Sequence, residues 1–467
     1  MRSSGFKLAL ASLALVGFGV GPAVAAPSPS PQPSGSPTES PSATPTSTPT
    51  PTATPTPVPI IPAAPKSCSA KAALGQKVFP RLYAYAYDVT TGRTLLNFNG
   101  TAQTPSASVL KVLTAAAALV NVPATQRATT TVLAAPSQPG VLVLKGGGDF
   151  SLTRTVAPAY TTYTKAARIN TLAANALSLL APGIPITKII LDSTYFEENG
   201  YNPAWKLSDR TNGYISPISA LQVDAGRING DLTSKKYNGT RSSEPILDAG
   251  RAFRTALGVA AKTAALEVAA APADAAPLTS LNSMPMSFWL NHALMASDNT
   301  ETEFIGRHAA IAAGNPSTFA GVTKTVRETL SLLGINSKAL VMYDGSGLAQ
   351  GNRVTAKLIT QLMSRVADPE SVLAPMQTYL PLAGVSGTLG GRFTGRNAVA
   401  KGFIRAKSGY IPGLYSLAGV ITAKDGTSVS FAAFARSNGK NLVGYATRAG
   451  LDTLAARFFQ CGNGLTR

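Results

Sequence analysis

The sequence predicts an α+β protein whose main sheet is antiparallel and takes strands from both ends of its ordered part. Residues 81–98 alternate tyrosine with alanine and then return past Thr91-Gly92, which predicts a hairpin. A second strand pair is predicted at 415–422 and 429–435 around Asp425-Gly426. Helical patterns occupy much of the chain between these pairs, so we expect helices to cover the sheet.

The elements between the two strand pairs follow in a clear order. A helix rich in alanine and leucine is predicted at 108–119, directly after Pro105. Residues 122–280 hold short strand patterns at 130–133, 141–144 and 188–191 with helices between them, and they carry no chemical motif. This stretch is interpreted as a large inserted mixed α/β region. Helices are then predicted at 288–296, at 303–313 and up to residue 459.

The first 65 residues predict export and a tether. Residues 1–25 combine two basic residues, a short apolar run and Ala23-Val24-Ala25, which is typical of a secretory signal with its cleavage site. Residues 26–65 are almost wholly Pro, Ser, Thr and Ala, so they bury too little apolar surface to fold and are predicted to be an extended linker. We therefore expect a secreted, extracytoplasmic protein that acts in the cell wall or a periplasm-like space.

The only two cysteines, Cys68 and Cys461, lie close to the ends of the predicted folded region. In an oxidising compartment they are predicted to form a disulfide, which stabilises the fold by about 4–5 kcal/mol in the chain-entropy account. Two cysteines and two histidines do not complete an ordinary four-ligand zinc site without carboxylates, so no metal is predicted.

The formal net charge is +19, and the chain remains strongly basic after loss of the signal segment. Outside the cell such a charge attracts anionic wall polymers or a membrane surface, whereas nucleic acid is not expected as a partner.

Three short segments carry the chemistry: Ser108-Val109-Leu110-Lys111, Ser297-Asp298-Asn299 and Lys407-Ser408-Gly409. A lysine three residues after a serine lies on the same helical face, within reach of the serine hydroxyl. Ser108 at a helix start is therefore the predicted nucleophile. Lys111 is its predicted base, with a pKa lowered by burial and by Lys407. Each segment alone is weak, because Ser and Asp are common helix caps and Lys-Ser-Gly is a common turn.

The remaining residues of the segments receive supporting roles. Ser297 is predicted to relay a proton to the leaving amine, and Asn299 to hold Lys111 and the substrate amide by hydrogen bonds. Lys407 and the hydroxyl of Ser408 are predicted to bind a terminal carboxylate. Gly409 and Tyr410 continue this binding strand, and the backbone N–H groups of Ser108 and Tyr410 are predicted to form an oxyanion hole.

In this order the segments resemble the signature of penicillin-binding proteins and class A β-lactamases. The chain is similar to the low-molecular-mass class C penicillin-binding proteins, the D-alanyl-D-alanine carboxypeptidase and endopeptidase family. The resemblance runs from about Arg81 to Phe458. It includes these further stretches: Thr104-Pro105-Ser106-Ala107-Ser108, Gly147-Gly148-Asp149, Ser216-Pro217-Ile218-Ser219-Ala220-Leu221, Asp344-Gly345-Ser346-Gly347-Leu348 and Asn352-Arg353-Val354. The long segment between the first two motifs separates this family from the β-lactamases.

The resemblance implies a β-lactamase/transpeptidase-like catalytic domain, built from 66–121 and 281–467 and interrupted by 122–280. It implies hydrolysis of D-Ala-D-Ala peptides of peptidoglycan, acylation by β-lactams, and no cofactor. Cleft shape decides whether cross-links are cut as well. Two positions depart from the family: Ser408 stands where Thr is usual, which keeps the hydroxyl, and Phe150 stands where Pro is frequent.

Three other functions fit parts of the sequence. A Ser-His-Asp hydrolase lacks its Gly-x-Ser-x-Gly elbow here, and His292 and His308 lie on predicted helices where packing roles are more common. Asp149, Trp205 and Ser346 are expected to be structural. A β-lactamase-like hydrolase remains open, as does a wall-binding protein with an inactive penicillin-binding fold, which would not depend on Ser108.

Overall fold

The computed structural model describes residues 68–181, 183–228 and 239–466; the predicted signal segment 1–25 and linker 26–65 lie outside them. The strands are β1 Cys68–Ser69, β2 Arg81–Asp88, β3 Thr94–Phe98, β4 Thr129–Ala134, β5 Val141–Lys145, β6 Lys188–Asp192, β7 Ala265–Val268, β8 Ala276–Asn282, β9 Ile404–Ile411, β10 Leu414–Thr422, β11 Ser428–Arg436 and β12 Leu465–Thr466. The helices are α1 Lys71–Leu74, α2 Lys111–Asn121, α3 Ile169–Leu179, α4 Leu207–Thr211, α5 Pro245–Leu257, α6 Met286–Ala296, α7 Asn299–Ala312, α8 Phe319–Leu332, α9 Ala356–Ala367, α10 Ala374–Tyr379 and α11 Tyr445–Cys461.

The larger part of the fold is built on an antiparallel sheet with the strand order β3-β2-β11-β10-β9. Its first two strands come from the start of the described chain and the other three from its end, as the sequence predicted. The outer strand β9 is bridged on its free side at Leu382 and Arg405, and Ala406 N donates to Pro381 O (2.9 Å). This cover ends just before Lys407.

The two faces of the sheet belong to two cores, because side chains alternate along each strand. On β11, Ala432 and Phe434 join the core that contains the apolar faces of α2 and of α6 to α10. Phe431 and Ala433 join the opposite core, which contains α11 and α1. The α+β class is thus confirmed, with helices on both faces of one antiparallel sheet.

A second sheet lies within residues 129–282 and has the order β7-β6-β5-β4-β8. Its β5, β6 and β7 are parallel, while β4 pairs antiparallel with β5 and β8. Apolar faces of α3 and α5 cover it, which gives a mixed α/β unit with its own core. The insertion limits 122–280 stay a prediction; strand β8 runs across residue 280.

The predicted disulfide is present between Cys68 and Cys461. Beside it, β1 pairs in parallel with β12, so that Cys68 lies opposite Leu465. The two ends of the described chain are therefore joined both covalently and by backbone pairing. In the described ranges, each helix is too short or too polar to cross a lipid bilayer.

Two predicted helix boundaries were wrong. The helix expected from Ser108 begins as a 3-10 turn, Ala107–Leu110, in which Ala107 takes a left-handed φ of 47°, and it becomes α-helical at Lys111. The helix expected at 303–313 begins four residues earlier, at Asn299. There the Asp298 side chain accepts a hydrogen bond from Glu301 N (3.0 Å) and caps the first turn.

Candidate active site

The turn that carries Ser108 is held in an uncommon conformation. A left-handed alanine costs roughly 1–2 kcal/mol, so packing must fix Ala107. On one side Ser416 Oγ donates to Ser106 O (2.8 Å). On the other, Gly347 approaches so closely that a Cβ there would lie 2.0 Å from Ala107 O. Ser108 is half-buried while both its neighbours are buried, so its hydroxyl is the part of the turn that remains accessible.

The amine of Lys111 lies in contact with the hydroxyl of Ser108, as the spacing predicted. Lys111 is fully buried, and its Nζ is 3.2 Å from Ser108 Oγ, 2.5 Å from Asn299 Oδ1 and 2.7 Å from Ser346 O. Asn299 and Ser346 offer only acceptor atoms here, whereas a hydroxyl can also donate. A protonated amine can donate to all three atoms. When Lys111 is neutral, it can donate to Asn299 and Ser346 while its lone pair takes the hydroxyl proton of Ser108.

Burial lowers the pKa of Lys111 from 10.5 to about 8, against the opposing charges of Asp344, Glu303 and Asp298. The predicted lowering of the Lys111 pKa by burial agrees with the structure. The amines of Lys111 and Lys407 also repel each other: the pKa of Lys407 is lowered well below 10.5, first by burial and then by the charges of Lys111 and Arg392.

The second segment lies at the junction of α6 and α7. Ser297 ends α6 with a left-handed φ of 63°, and Asn299 begins α7, so their side chains leave the junction at different points. The Ser297 hydroxyl accepts from Lys407 Nζ (2.8 Å), while Asn299 accepts from Lys111 and donates from Nδ2 to Tyr214 O (2.9 Å). The structure therefore links each of the two lysines to one residue of this segment.

The third segment lies inside β9. Gly409 packs against the turn that carries Ser108: a Cβ at this position would lie 2.9 Å from Ser108 N and 2.4 Å from Ser416 Oγ. Lys407 is fully buried, and its Nζ also donates to Ser408 O (2.8 Å). The absence of a side chain at 409 is what lets this strand lie beside Ser108.

A cavity of about 620 Å³ opens between these segments. Its wall combines residues of all three segments with residues before and after β9 and residues around the start of α11: Ser108, Ser297, Thr388, Arg392, Ser408, Gly409, Tyr410, Tyr415, Val443, Gly444, Tyr445 and Arg448. Ser408 Oγ donates to Thr388 Oγ1 (2.8 Å). Tyr410 is 58% exposed, and its ring lies 4.7 Å from that of Tyr415.

Several of these neighbours were not predicted. Glu303 is buried and accepts from the backbone N–H groups of Gly345 and Ser346 (3.0 and 2.8 Å), which holds the loop whose carbonyl contacts Lys111. Burial raises the pKa of Glu303 to about 7. Glu303 follows Asn299 by four residues, so the two side chains lie on the same face of a helix. This signal was present in the sequence but was missed, because the helix was predicted to begin at residue 303. Arg392 gave no signal in the sequence.

Residues 122–280 also contribute to this region, although no motif marked them. The Tyr163 hydroxyl donates to Asp298 Oδ2 (2.8 Å), and the guanidinium of Arg227 lies 5.2 Å from the Tyr163 ring centre. Arg227 and Arg241 keep the pKa of buried Asp298 below its usual value, against the effect of burial. Arg227 and Arg241, both in the predicted insertion, therefore balance the buried negative charge of Asp298.

Both histidines have packing or ion-pair contacts away from Ser108. His292 Nδ1 is 2.6 Å from Glu301 Oε2, and His308 Nε2 is 3.0 Å from Gly148 O. Trp205 Nε1 donates to Asp344 Oδ2 (2.7 Å), and Asp149 accepts from Ser151 N (2.8 Å). Among the described residues, no group of three or more His, Cys, Asp or Glu side chains is arranged to hold a metal ion.

The sequence profile of the D-Ala-D-Ala carboxypeptidase 3 (S13) family matches residues 70–242 and 234–458. A carboxypeptidase of Mycobacterium tuberculosis is 36% identical over 379 residues, which cover 80% of this chain and 79% of that one. The carboxypeptidase DacB of Mycolicibacterium smegmatis is 34% identical over 380 residues, 81% of this chain and 80% of the relative. The crystal structure of penicillin-binding protein 4 from Haemophilus influenzae has a similar fold, with a TM-score of 0.70 at 20% identity over 84% of this chain and 99% of that one.

Proposed function

Since the chain belongs to the D-Ala-D-Ala carboxypeptidase 3 (S13) family, we propose that it hydrolyses D-alanyl-D-alanine peptides of peptidoglycan through an acyl-enzyme on Ser108. The observation that carries the proposal is the contact of the buried, low-pKa amine of Lys111 with Ser108 Oγ at 3.2 Å, at a hydroxyl that lines the cavity.

In the first half of the reaction, Ser108 Oγ attacks the carbonyl carbon of the penultimate D-alanine. Neutral Lys111 accepts the hydroxyl proton as the C–O bond forms. The backbone N–H groups of Ser108 and Tyr410 would bind the developing oxyanion. Ser297 then passes a proton to the leaving amine and is reprotonated from Lys407, which lies 2.8 Å away. The products of this half are a free D-amino acid and an ester on Ser108.

In the second half, water attacks the ester carbonyl. Between the halves, Lys111 releases to solvent the proton that it took from Ser108 and Lys407 takes one up, so both amines return to their starting states. Lys111, which contacts Ser108 Oγ, then takes a proton from the attacking water and returns it to the serine oxygen as the ester bond breaks. Asn299 holds Lys111 in place through both halves, and its contact with Tyr214 O fixes the amide orientation. The products are the shortened peptide acid and free enzyme.

A β-lactam would acylate the same hydroxyl, because its strained amide presents a carbonyl carbon beside a carboxylate. The solved penicillin-binding protein 4 of similar fold has also been crystallised with a β-lactam. The cavity is open at Tyr410, so we also propose that leaving groups larger than D-alanine enter and that cross-link endopeptidase activity accompanies carboxypeptidase activity.

Labelling with a fluorescent penicillin tests the nucleophile. We expect one adduct, located on Ser108 by peptide mapping, and release of D-alanine from a D-Ala-D-Ala peptide. Ser108→Ala should lose both, while the matched control Ser331→Ala, at an exposed serine of α8, should keep both. An adduct that persists in Ser108→Ala would exclude the assignment and favour the wall-binding alternative.

We further propose that the protein is exported by residues 1–25, carried on the linker 26–65 and retained by anionic wall polymers or membrane head groups. The support is the sequence and the net charge of +19. Binding of the mature protein to isolated cell walls should fall steeply between about 50 and about 500 mM salt. Binding that is independent of salt would contradict retention by charge.

A further inference from the structure

A turn of the predicted insertion contacts the start of helix α7. Asn299 and Thr300 are the first two residues of that helix. Asn299 Nδ2 donates to Tyr214 O (2.9 Å), and Ser216 N donates to Thr300 Oγ1 (3.2 Å). The insertion therefore contacts the second catalytic segment directly, although its own sequence carries no catalytic motif.

The contact with Tyr214 decides which way the amide of Asn299 points. A backbone carbonyl oxygen only accepts hydrogen bonds, so it takes the NH2 group of the amide and leaves Oδ1 to face Lys111 Nζ, 2.5 Å away. If the amide were turned over, its NH2 group would donate to the lone pair of Lys111 that must take the proton of Ser108. The place of one carbonyl oxygen thus bears on whether Lys111 can act as a base.

The turn that carries this carbonyl follows the short helix α4. Gly213 has a left-handed φ of 77°, and Tyr214 N donates to Asp209 O (2.8 Å), which closes the end of the helix. No residue of α4 is buried, so the packing of the helix gives the turn little support. The support must come from another part of the chain.

Arg241 supplies that support. Its Nε and Nη2 both donate to Gly213 O (3.1 and 3.0 Å), and its Nη1 donates to Ala225 O (2.8 Å). Arg241 is only 1% exposed, and its backbone is fixed as well: Arg241 N donates to Arg210 O (3.1 Å), and Arg210 Nη1 donates to Arg241 O (2.8 Å). A planar guanidinium bound to two carbonyl oxygens fixes the orientation of the turn as well as its distance.

We propose that Arg241 is a positioning residue of the active site, which fixes the turn so that Tyr214 O orients the amide of Asn299. The amide then presents its oxygen to Lys111. Among the residues that the structure describes, Arg241 is not part of the cavity wall, so it acts on the reaction through Asn299. The inference rests on the proposed function and adds to it that the insertion sets the hydrogen bonding of the base.

The test is a double-mutant cycle, measured as the second-order rate of acylation by a fluorescent penicillin. Arg241→Gln should lower this rate about 10- to 100-fold, and Arg241→Lys should lower it less, because it keeps a donor but loses the fork. Asn299→Ala should lower the rate as well. In the Asn299→Ala background, Arg241→Gln should cost less than about a further two-fold, because no amide is left to orient. A loss that arose from the charge of Arg241 near Asp298 would persist in that background.

Two more variants separate positioning from a general loss of fold. Arg254→Gln is the matched control: Arg254 also lies in the predicted insertion, and its Nη1 donates to a backbone carbonyl outside this turn, Ala264 O (3.0 Å), so the variant should keep the wild-type rate. Gly213→Ala strains the left-handed turn while Arg241 stays in place, so it should lower the rate only when the Asn299 amide is present. Thermal unfolding reports the fold of each variant, and Arg241→Lys and Gly213→Ala decide the test if Arg241→Gln does not fold.

The outcomes separate this inference from the proposed function. Equal fold-losses from Arg241→Gln with and without the Asn299 amide would overturn the inference while leaving acylation of Ser108 intact. A wild-type rate in folded Asn299→Ala or in folded Gly213→Ala would overturn it too. A wild-type protein that takes no penicillin would instead refute the proposed function.

Discussion

The pKa of Lys111 predicts how acylation depends on pH. At a pKa of about 8, roughly a tenth of the molecules carry a neutral Lys111 at pH 7 and about half at pH 8. At the ordinary pKa of 10.5 the neutral fraction at pH 7 would be about 0.03%, some 300-fold less. The base acts only when neutral, so acylation rises with pH. We expect about a five-fold increase in the second-order acylation rate from pH 7 to pH 8 and a plateau above about pH 9.

The assay is the rate of acylation by a fluorescent penicillin, followed from pH 6 to pH 10.5 at constant ionic strength. Two variants move the midpoint in opposite directions. Asn299→Asp places a carboxylate 2.5 Å from Nζ and should move it to higher pH, whereas Glu303→Gln removes a charge that raises the Lys111 pKa and should move it to lower pH. A wild-type profile that is flat over this range, or one that rises only near pH 10.5, would refute Lys111 as a base prepared by burial.

Three further outcomes follow from the packing. Gly409→Ala should reduce acylation at least about 100-fold with little loss of fold, because its Cβ would push the strand away from Ser108 N, while Gly391→Ala, whose added Cβ would meet no atom within 4 Å, should be silent. In urea titrations, the double variant Cys68→Ser/Cys461→Ser should lose up to about 5 kcal/mol of unfolding free energy. When folded, it should keep its acylation rate. An unchanged free energy of unfolding would contradict this prediction. Relative to Lys111→Met, the wild-type free energy of unfolding should rise by on the order of 3 kcal/mol from pH 7 to about pH 10.5. The reason is that a lysine with a lowered pKa destabilises the folded state fully below its folded pKa, and this cost fades as the pH approaches its unfolded pKa. A difference that stays constant with pH would show that the pKa is not lowered.

The sequence predicted well those features that depend on residues close together in the chain. The Ser108 to Lys111 spacing needs only one helical turn to bring hydroxyl and amine together, and the structure shows the contact. The hairpin at 81–98 and the pair around Asp425-Gly426 follow from alternation and turn residues, and both appear within two residues of their predicted limits. The cysteine pairing followed from having two cysteines in an oxidising compartment.

What the sequence did not show depends on contacts between distant segments. The ion pair of Arg392 with Asp452 joins residues 60 positions apart, and neither lies in a recognisable motif. The carbonyl of Ser346 contacts Lys111 through its backbone, which side-chain chemistry does not reveal.

The partly covered edge of β9 has a consequence for association between copies of the protein. An open strand edge offers unpaired N–H and C=O groups to any extended chain, including another copy of the same protein. Here the segment around Leu382 occupies the first half of that edge and leaves only the stretch from Lys407 to Ile411 open, beside Ser108. A peptide of a few residues can pair there, but a full strand cannot extend past the covered half. The enzyme can thus keep the open edge of β9 from Lys407 to Ile411 beside Ser108 without offering a full strand edge on which other copies could aggregate.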